Sequence, residues 1–343
     1  MTCLAASDDE TLAVMVAALL GHAPVTLRRV TGGGNSRVHQ ACFTGGAAAV
    51  KGYPARGADG RDRQGAERAA LEFLARHGVR NVPALLAADP SANLSVIGWI
   101  DGRPVGAAGA GDIDAALAFL GTLHGLRGAE GAHALPFASE ACLSPAKVIA
   151  QIERRRDRLR AVEGAPLGFL DREMAPVLSA SAAHARAVYA GLGLASDADL
   201  PAALRTLSPS DFGFHNAVRR GDGTLAFLDF EYFGWDDPVK ATADFLLHPG
   251  MALDNGLKAR FRAGAEALYG RGEPAFAGRL RASIPLYALR WCMILLNEFL
   301  PERWHLRVQA GNTSDRQAVL DAQLTKAGTM LSVARAYLEG DRS

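Results

Sequence analysis

The pattern of this chain changes character at Asp101-Gly102-Arg103-Pro104, and that break constrains the fold more than any other feature. Before it, short apolar and β-branched runs bounded by turn residues read as strands over 25–30, 37–43, 47–53, 82–88 and 94–100. The glycine-rich turn at 31–36 and the tight return at Gly45-Gly46 make the first three strands consecutive and antiparallel. Asp89-Pro90 opens the turn between the last two. A helix over 64–77, stopped by Gly78, interrupts the strands. After the break the period is helical over 113–126, 145–162, 172–192 and much of 257–338, with a β interruption over 206–231. The expectation is an α+β chain in three parts. These are an N-terminal helical extension over 1–22, a small antiparallel-sheet lobe over 23–100, and a larger, mainly helical lobe over 101–343.

Composition narrows the function classes. With 49% hydrophobic residues the chain can bury a sizeable core. Thirty-seven basic residues against 36 acidic leave a net charge of +1, which argues against nucleic acid or an anionic membrane surface as partner. The cysteines, Cys3, Cys42, Cys142 and Cys292, have neither CxxC nor zinc spacing and read as free thiols in a reducing compartment. The apolar stretch 12–20 follows Asp8, Asp9 and Glu10, where a signal peptide needs positive charge. Ser7 and Glu10 instead have capping-box spacing for an ordinary helix. The stretch 284–300 is broken by Arg290, Asn297 and Glu298, too polar to span a bilayer. A cytoplasmic protein is expected, and no feature sets an oligomeric state. The charge run 153–160 reads as a solvated helix face.

The densest chemical signal is Ser208-Pro209-Ser210-Asp211-Phe212-Gly213-Phe214-His215-Asn216, followed by Asp229-Phe230-Glu231. Gly221-Asp222-Gly223-Thr224 lies between, and Asp-Gly favours a two-residue type I′ turn. Counting outward from that turn puts Asn216 opposite Asp229, with Cβ atoms about 5 Å apart. A carboxylate and an amide oxygen so placed can share a hard cation such as Mg²⁺. Asp211 lies on a loop entering the same mouth. The plain alternative is a hairpin whose Asp and Asn only form turns.

Lys51 ends the third strand and alone would read as a snorkelling edge lysine. The following helix changes that: Glu67, Leu71, Leu74 and Gly78 share one stripe, so Glu67 faces the apolar side. Glu72 is about 140° round and faces outward. A buried-side carboxylate needs a cation, and Lys51 is the nearest by topology. Gly32-Gly33-Gly34-Asn35-Ser36 is neither a Walker A loop nor a Rossmann fingerprint. Such a strand-to-strand loop either folds over phosphates or is a plain turn.

Taken together, Lys51, Glu67, Asp211, Asn216 and Asp229 resemble, in order, the kinase-fold phosphotransferases, in particular the aminoglycoside phosphotransferase and choline kinase family. The family's His-x-Asp-x-x-x-x-Asn corresponds to Pro209-Ser210-Asp211 through Asn216, and its Asp-Phe-Glu to Asp229-Phe230-Glu231. Trp235-Asp236-Asp237-Pro238 with Asp244, the run 67–74, and Leu120-Gly121-Thr122-Leu123-His124 also match. The resemblance covers about residues 25–300. Pro209 departs from it by replacing the histidine that braces the loop; His215 either takes over that task or is a plain loop histidine.

The resemblance implies a two-lobed protein-kinase-like fold and transfer of a γ-phosphate from ATP or GTP to a small hydroxylated molecule. Lys51, positioned by Glu67, would hold phosphates; Gly33, Gly34, Asn35 and Ser36 would cover them; Trp99 and Ile100 would meet the base. Asn216 and Asp229 would bind Mg²⁺, and Asp211 would take the acceptor's proton. No Ala-Pro-Glu segment follows Asp229, which favours a small acceptor over a protein. Glu231, Asp236, Trp291 and Glu298 are the acceptor-pocket candidates, with helix capping the alternative for Asp236 and Asp237, and helix core for Trp291. A nucleotide-binding pseudokinase and an AMP transferase on the same fold are the rival functions.

Overall fold

The computed structural model describes residues 9–30, 36–54, 60–309 and 315–340. The chain forms two compact units, Met1–Glu140 with Thr206–Trp235, and Ala141–Arg205 with Asp236–Ser343. The hairpin segment 206–231 thus belongs to the same unit as the N-terminal sheet.

In the first unit, helix α1 (Asp9–Leu20) precedes strands β1 (Thr26–Val30), β2 (Arg37–Phe43) and β3 (Gly46–Gly52). Helix α2 (Arg63–Arg76) and strands β4 (Leu85–Asp89) and β5 (Leu94–Gly98) follow. The sheet is antiparallel with order β1-β2-β3-β5-β4; the turn signals gave β1-β2-β3 and the β4-β5 pair, and the fold sets β5 beside β3. Successive side chains on a strand point to opposite faces. Ala48 and Val50 of β3 pack with Leu12 and Val16 of α1 and Val96 of β5 on one face. Lys51 therefore points to the other face. There Gln64 of α2 donates to Ser95 Oγ (3.4 Å), and Ser95 is the cross-strand partner of Lys51.

Helix α2 starts where Asp62 accepts the Gly65 N–H at 2.9 Å. It stops at Gly78, whose φ of +75° suits glycine. Beyond the break, a short strand β6 (Arg103–Pro104) precedes α3 (Ala110–Gly125). Strands β7 (Thr206–Ser208), β8 (Ala217–Arg219) and β9 (Leu225–Phe227) carry the hairpin segment, with β6-β8-β9 forming a small antiparallel sheet.

The second unit is helical: α4 (Pro145–Arg160), α5 (Ala175–Gly191), α6 (Pro238–Leu247), α7 (Asn255–Tyr269), α8 (Phe276–Leu295), α9 (Pro301–Gln309) and α10 (Arg316–Leu338). Helix α8 is its axis, packed against α4, α5, α6 and α10. The 153–160 run lies largely exposed on α4, where Arg158 and Arg160 pair with Glu302 and Asp171 at the surface. No helix among the described residues is long and apolar enough to cross a membrane. Cys42, Cys142 and Cys292 are free thiols.

Buried cations hold this helical core to its carboxylates. Lys240 is fully buried between Asp236 (2.9 Å) and Asp244 (3.3 Å). Arg290 joins Asp244 (3.0 Å) to Gln151 (3.0 Å). Arg279 binds Glu273 at 2.7 Å, Tyr189 at 3.3 Å, and Asp237. Removing one partner from such a cluster leaves an uncompensated buried charge. Arg279→Ala should lower unfolding free energy by about 3–5 kcal/mol in urea titration. Loss of under about 1 kcal/mol, the scale of an exposed pair, would show that the cluster is not what holds these helices.

Candidate active site

The site grows from Lys51, 5% exposed, whose ammonium meets three carboxylates. It donates to Glu67 Oε2 and Asp229 Oδ1, both at 2.7 Å, and lies 3.2 Å from Glu231 Oε2. Glu67, 1% exposed on the inner face of α2, also accepts from the Tyr53 hydroxyl at 2.5 Å and from the Phe230 backbone N–H at 3.0 Å. One glutamate thus ties a sheet lysine, a sheet tyrosine and the Asp229-Phe230-Glu231 segment together. The pairing expected from the helical stripe is present, and it has more members than the sequence showed. Tyr53 lies two residues beyond Lys51, on the same face of an extended chain, a spacing from which it could have been found.

Glu231 is 3% exposed. Besides Lys51 it meets Ser36, which donates to Oε2 at 2.7 Å, and Arg63, 3.7 Å from Oε1. It belongs to the lysine cluster and is not displayed to an amine, which corrects the acceptor-pocket expectation. Three carboxylates, Glu67, Asp229 and Glu231, here share two cations, Lys51 and Arg63. Burial alone would push the Lys51 ammonium down, but the surrounding carboxylates reverse this and hold it well above its usual value. Asp229 goes the other way: burial first, then Glu231 and Glu67, outweigh Lys51 and raise it to about 6.

The Asp211 loop leaves β7 through Ser210, whose φ of +68° is left-handed. The Ser210 N–H donates to Ser208 Oγ (3.0 Å) and its hydroxyl to the Ser139 carbonyl (2.9 Å), so the turn is tied with a proline at 209. The His215 Nε2–H donates to Asp211 Oδ1 at 3.0 Å, since a carboxylate can only accept. Asn216 Nδ2 donates to the Asp211 carbonyl at 3.0 Å.

The hairpin register differs from expectation by one residue. The turn is not a two-residue type I′ turn: Arg220 N–H bonds to Thr224 O (2.9 Å), enclosing the three residues Gly221, Asp222 and Gly223. Asp222 accepts from the Thr224 N–H (2.9 Å) and hydroxyl (2.7 Å), and Gly223 adopts φ +86°, the three-residue turn with a left-handed glycine. Ala217 pairs with Phe227, and the Leu228 N–H donates to Asn216 O at 2.8 Å. Asn216 therefore faces Leu228 rather than Asp229. Asp229 then takes φ +64°, a second left-handed non-glycine residue, and its carboxylate meets Lys51.

The remaining candidates fall as follows. Gly33, Gly34 and Asn35 lie outside the described residues. Trp99 and Ile100, half-buried, leave the end of β5; the Trp99 N–H donates to Ala47 O (3.3 Å) and its indole to Asp101 (3.1 Å). Asp236 is fully buried against Lys240, and Asp237 caps α6 through the Val239 N–H (2.8 Å), so the capping alternative holds for Asp237. Trp291, 8% exposed, donates to Asp244 (3.0 Å), a helix-core role that corrects its pocket assignment. Glu298 is half-buried in the turn after α8.

No protein-family model matches this chain, and no curated protein matches its sequence. Solved structures do match. Choline kinase LicA from Streptococcus pneumoniae is 15% identical over 95% of this chain and 99% of its own, with a TM-score of 0.58. Macrolide 2′-phosphotransferase MphH from Brachybacterium faecium is 19% identical over 89% and 99%, TM-score 0.57. The streptomycin–ATP complex of APH(2″)-IIa is 16% identical over 92% and 99%, TM-score 0.57. The chain has the protein-kinase-like fold shared by aminoglycoside phosphotransferases and choline kinases.

The raised Asp229 carboxyl makes the ionised site a cost to the empty protein. The folded state holds this proton more tightly than the unfolded chain, so its contribution is full below about 3.8 and is lost as pH rises through about 6. Asp229→Asn should therefore raise the melting temperature at pH 8, with the gain shrinking as pH falls through 6. A lower melting temperature for the variant at pH 8 would show that the Lys51 contact outweighs the carboxylate crowding.

Proposed function

We propose that this protein is a small-molecule kinase, moving the γ-phosphate of ATP to a hydroxyl of a small acceptor. The observation that carries the proposal is the joining of Lys51, Glu67 and Asp229 in one ion-paired cluster. Asp211 and Asn216 are held on the loop that leads into the same hairpin. The ATP complex of a protein with this fold favours ATP as donor.

Mg²⁺ fits the residues present. The Asn216 amide N–H₂ is committed to the Asp211 carbonyl, which turns the amide oxygen away as an acceptor. Asp229 belongs to a cluster with a surplus of carboxylates. Hard oxygen donors of this kind suit Mg²⁺, which keeps phosphate oxygens and waters as its other ligands. When bound it would neutralise charge on the phosphates, and Asn216 and Asp229 would hold it.

The chain's own residues do the rest by positioning and charge. Lys51 supplies a permanent positive charge to phosphate oxygens, and Glu67 keeps its long side chain from wandering. Asp211 orients the acceptor hydroxyl and accepts its proton as the oxygen attacks phosphorus, with His215 fixing the carboxylate's orientation. Trp99 and Ile100 line the base, and Ser36, bonded to Glu231 beside Lys51, stands at the phosphates. The fold's relatives include enzymes named for choline, macrolide and aminoglycoside acceptors, and the acceptor proposed here is of that hydroxylated class.

The test is product mass after incubation with ATP, Mg²⁺ and a panel of sugars, aminoglycosides, macrolides and amino alcohols. Gain of one phosphate supports the proposal; gain of AMP, or no transfer with nucleotide still bound, would replace it with the transferase or pseudokinase reading. Asp211→Asn should keep ATP·Mg²⁺ affinity while turnover falls about 10²-fold or more. Normal turnover in Asp211→Asn with a dead His215→Ala would move the base to the histidine.

A further inference from the structure

Behind the hairpin, within the same compact unit, lies a concavity of about 750 Å³ that the proposed chemistry does not use. Its volume falls in the range of small-molecule sites. The floor is apolar, from Ala115 and Phe119 of α3 and Leu225 of β9, and the rim carries Arg80, Arg219 and Arg220. Arg219 is neutralised by Asp112 at 2.7 Å. The other two guanidiniums have no ion-pair partner within 4 Å among the described residues; Asp222, on the turn, feels the Arg220 charge at longer range. Arg220 is not loose: it donates to the Arg80 carbonyl at 3.2 Å, which brings it to the loop that carries Arg80. Two forked, unpaired guanidiniums over an apolar floor match a phosphate group attached to an apolar or ring-bearing body.

We propose that this concavity binds a small phosphorylated organic molecule, through Arg80 and Arg220, at a site distinct from the Lys51 cluster. The floor connects it to the hairpin's chemistry. Phe119 stacks on Phe227 (centroids 4.5 Å) and Phe212 (5.8 Å) and meets Phe230 edge-on (6.3 Å). Phe212 follows Asp211 and Phe230 follows Asp229 in sequence. The Phe227 N–H, in turn, donates to the Asn81 carbonyl beside Arg80 (2.8 Å). A ligand held here touches Arg219 and Leu225 at the turn end of the hairpin, whose two strands lead at their far ends to Asn216 and Asp229, and through those strands its binding is coupled to nucleotide binding. That coupling rests on the function proposed above, whereas the binding site itself does not.

Phenyl phosphate is a suitable probe, since it has the charge and the ring but no hydroxyl to accept phosphate. With the intact chain and saturating ADP, hydrogen exchange should show protection in 110–122 and 217–227 on adding it. Phenol at the same concentration should show none. Arg80→Gln together with Arg220→Gln should weaken this binding at least tenfold. Arg80 is exposed and has no ion-pair partner among the described residues, so Arg80→Gln alone, expected to weaken it several-fold, keeps the test valid if the double variant misfolds. No protection at 10 mM probe, protection unchanged in the variants, or displacement of the probe by ADP would each overturn the site. Binding that obeys these expectations but leaves ADP·Mg²⁺ affinity unchanged would retain the site and remove the coupling. Transfer activity in the product-mass assay is read separately, so loss of the kinase reading leaves this result standing.

Discussion

Everything at this site depends on one ammonium group. Lys51 reaches its place because β3 alternates, Ala48 and Val50 toward α1 and Lys51 toward α2. Burial works against the charge of a lone lysine there, and an unpaired buried carboxylate at Glu67 would be costly. Each is tolerable only because of the other, and the pair is extended by Tyr53, Asp229, Glu231 and the Phe230 backbone. The cluster therefore links the sheet, α2 and the end of the hairpin in one electrostatic unit. Burial first, and then the neighbouring Glu231 and Glu67 carboxylates, leave Asp229 hard to ionise, the condition under which an added cation is welcome.

Two of the five non-glycine residues with positive φ among the described residues serve this arrangement. Ser210 and Asp229 both adopt left-handed φ, which non-glycine residues seldom do. One directs the chain into the Asp211 loop and the other swings a carboxylate onto Lys51. The surroundings over-determine both: Ser210 is held by Ser208 and Ser139, and Asp229 lies between Leu228, bonded to Asn216, and Phe230, bonded to Glu67.

Much of this was legible in the sequence because it follows from periodicity. Helical spacing put Glu67 on the apolar side and so singled out Lys51 as its cation, and turn residues gave the run of the first three strands and the pairing of the last two. The hairpin register was not, because Asp-Gly serves two turns. Asp222 bonds to the Thr224 N–H and hydroxyl, which favours the three-residue loop and shifts every pair by one. Two of the acceptor candidates, Asp236 and Glu231, were already claimed within the chain. Lys240 and Asp244 stand one turn apart on α6, and Asp236 just before the helix reaches the same ammonium, so the carboxylates already had their cation within the chain. Glu231 likewise was claimed by Lys51 and Arg63, residues far away in sequence that only the fold brings near.

The central claim is that Lys51 and Glu67 act as one unit in holding nucleotide. A double-mutant cycle with Lys51→Met and Glu67→Gln, read as ATP·Mg²⁺ affinity by calorimetry with folding checked in parallel, tests it directly. The account predicts that the double variant binds little worse than the weaker single variant. Losses that simply add, in folded proteins, would contradict it and assign the two residues independent roles.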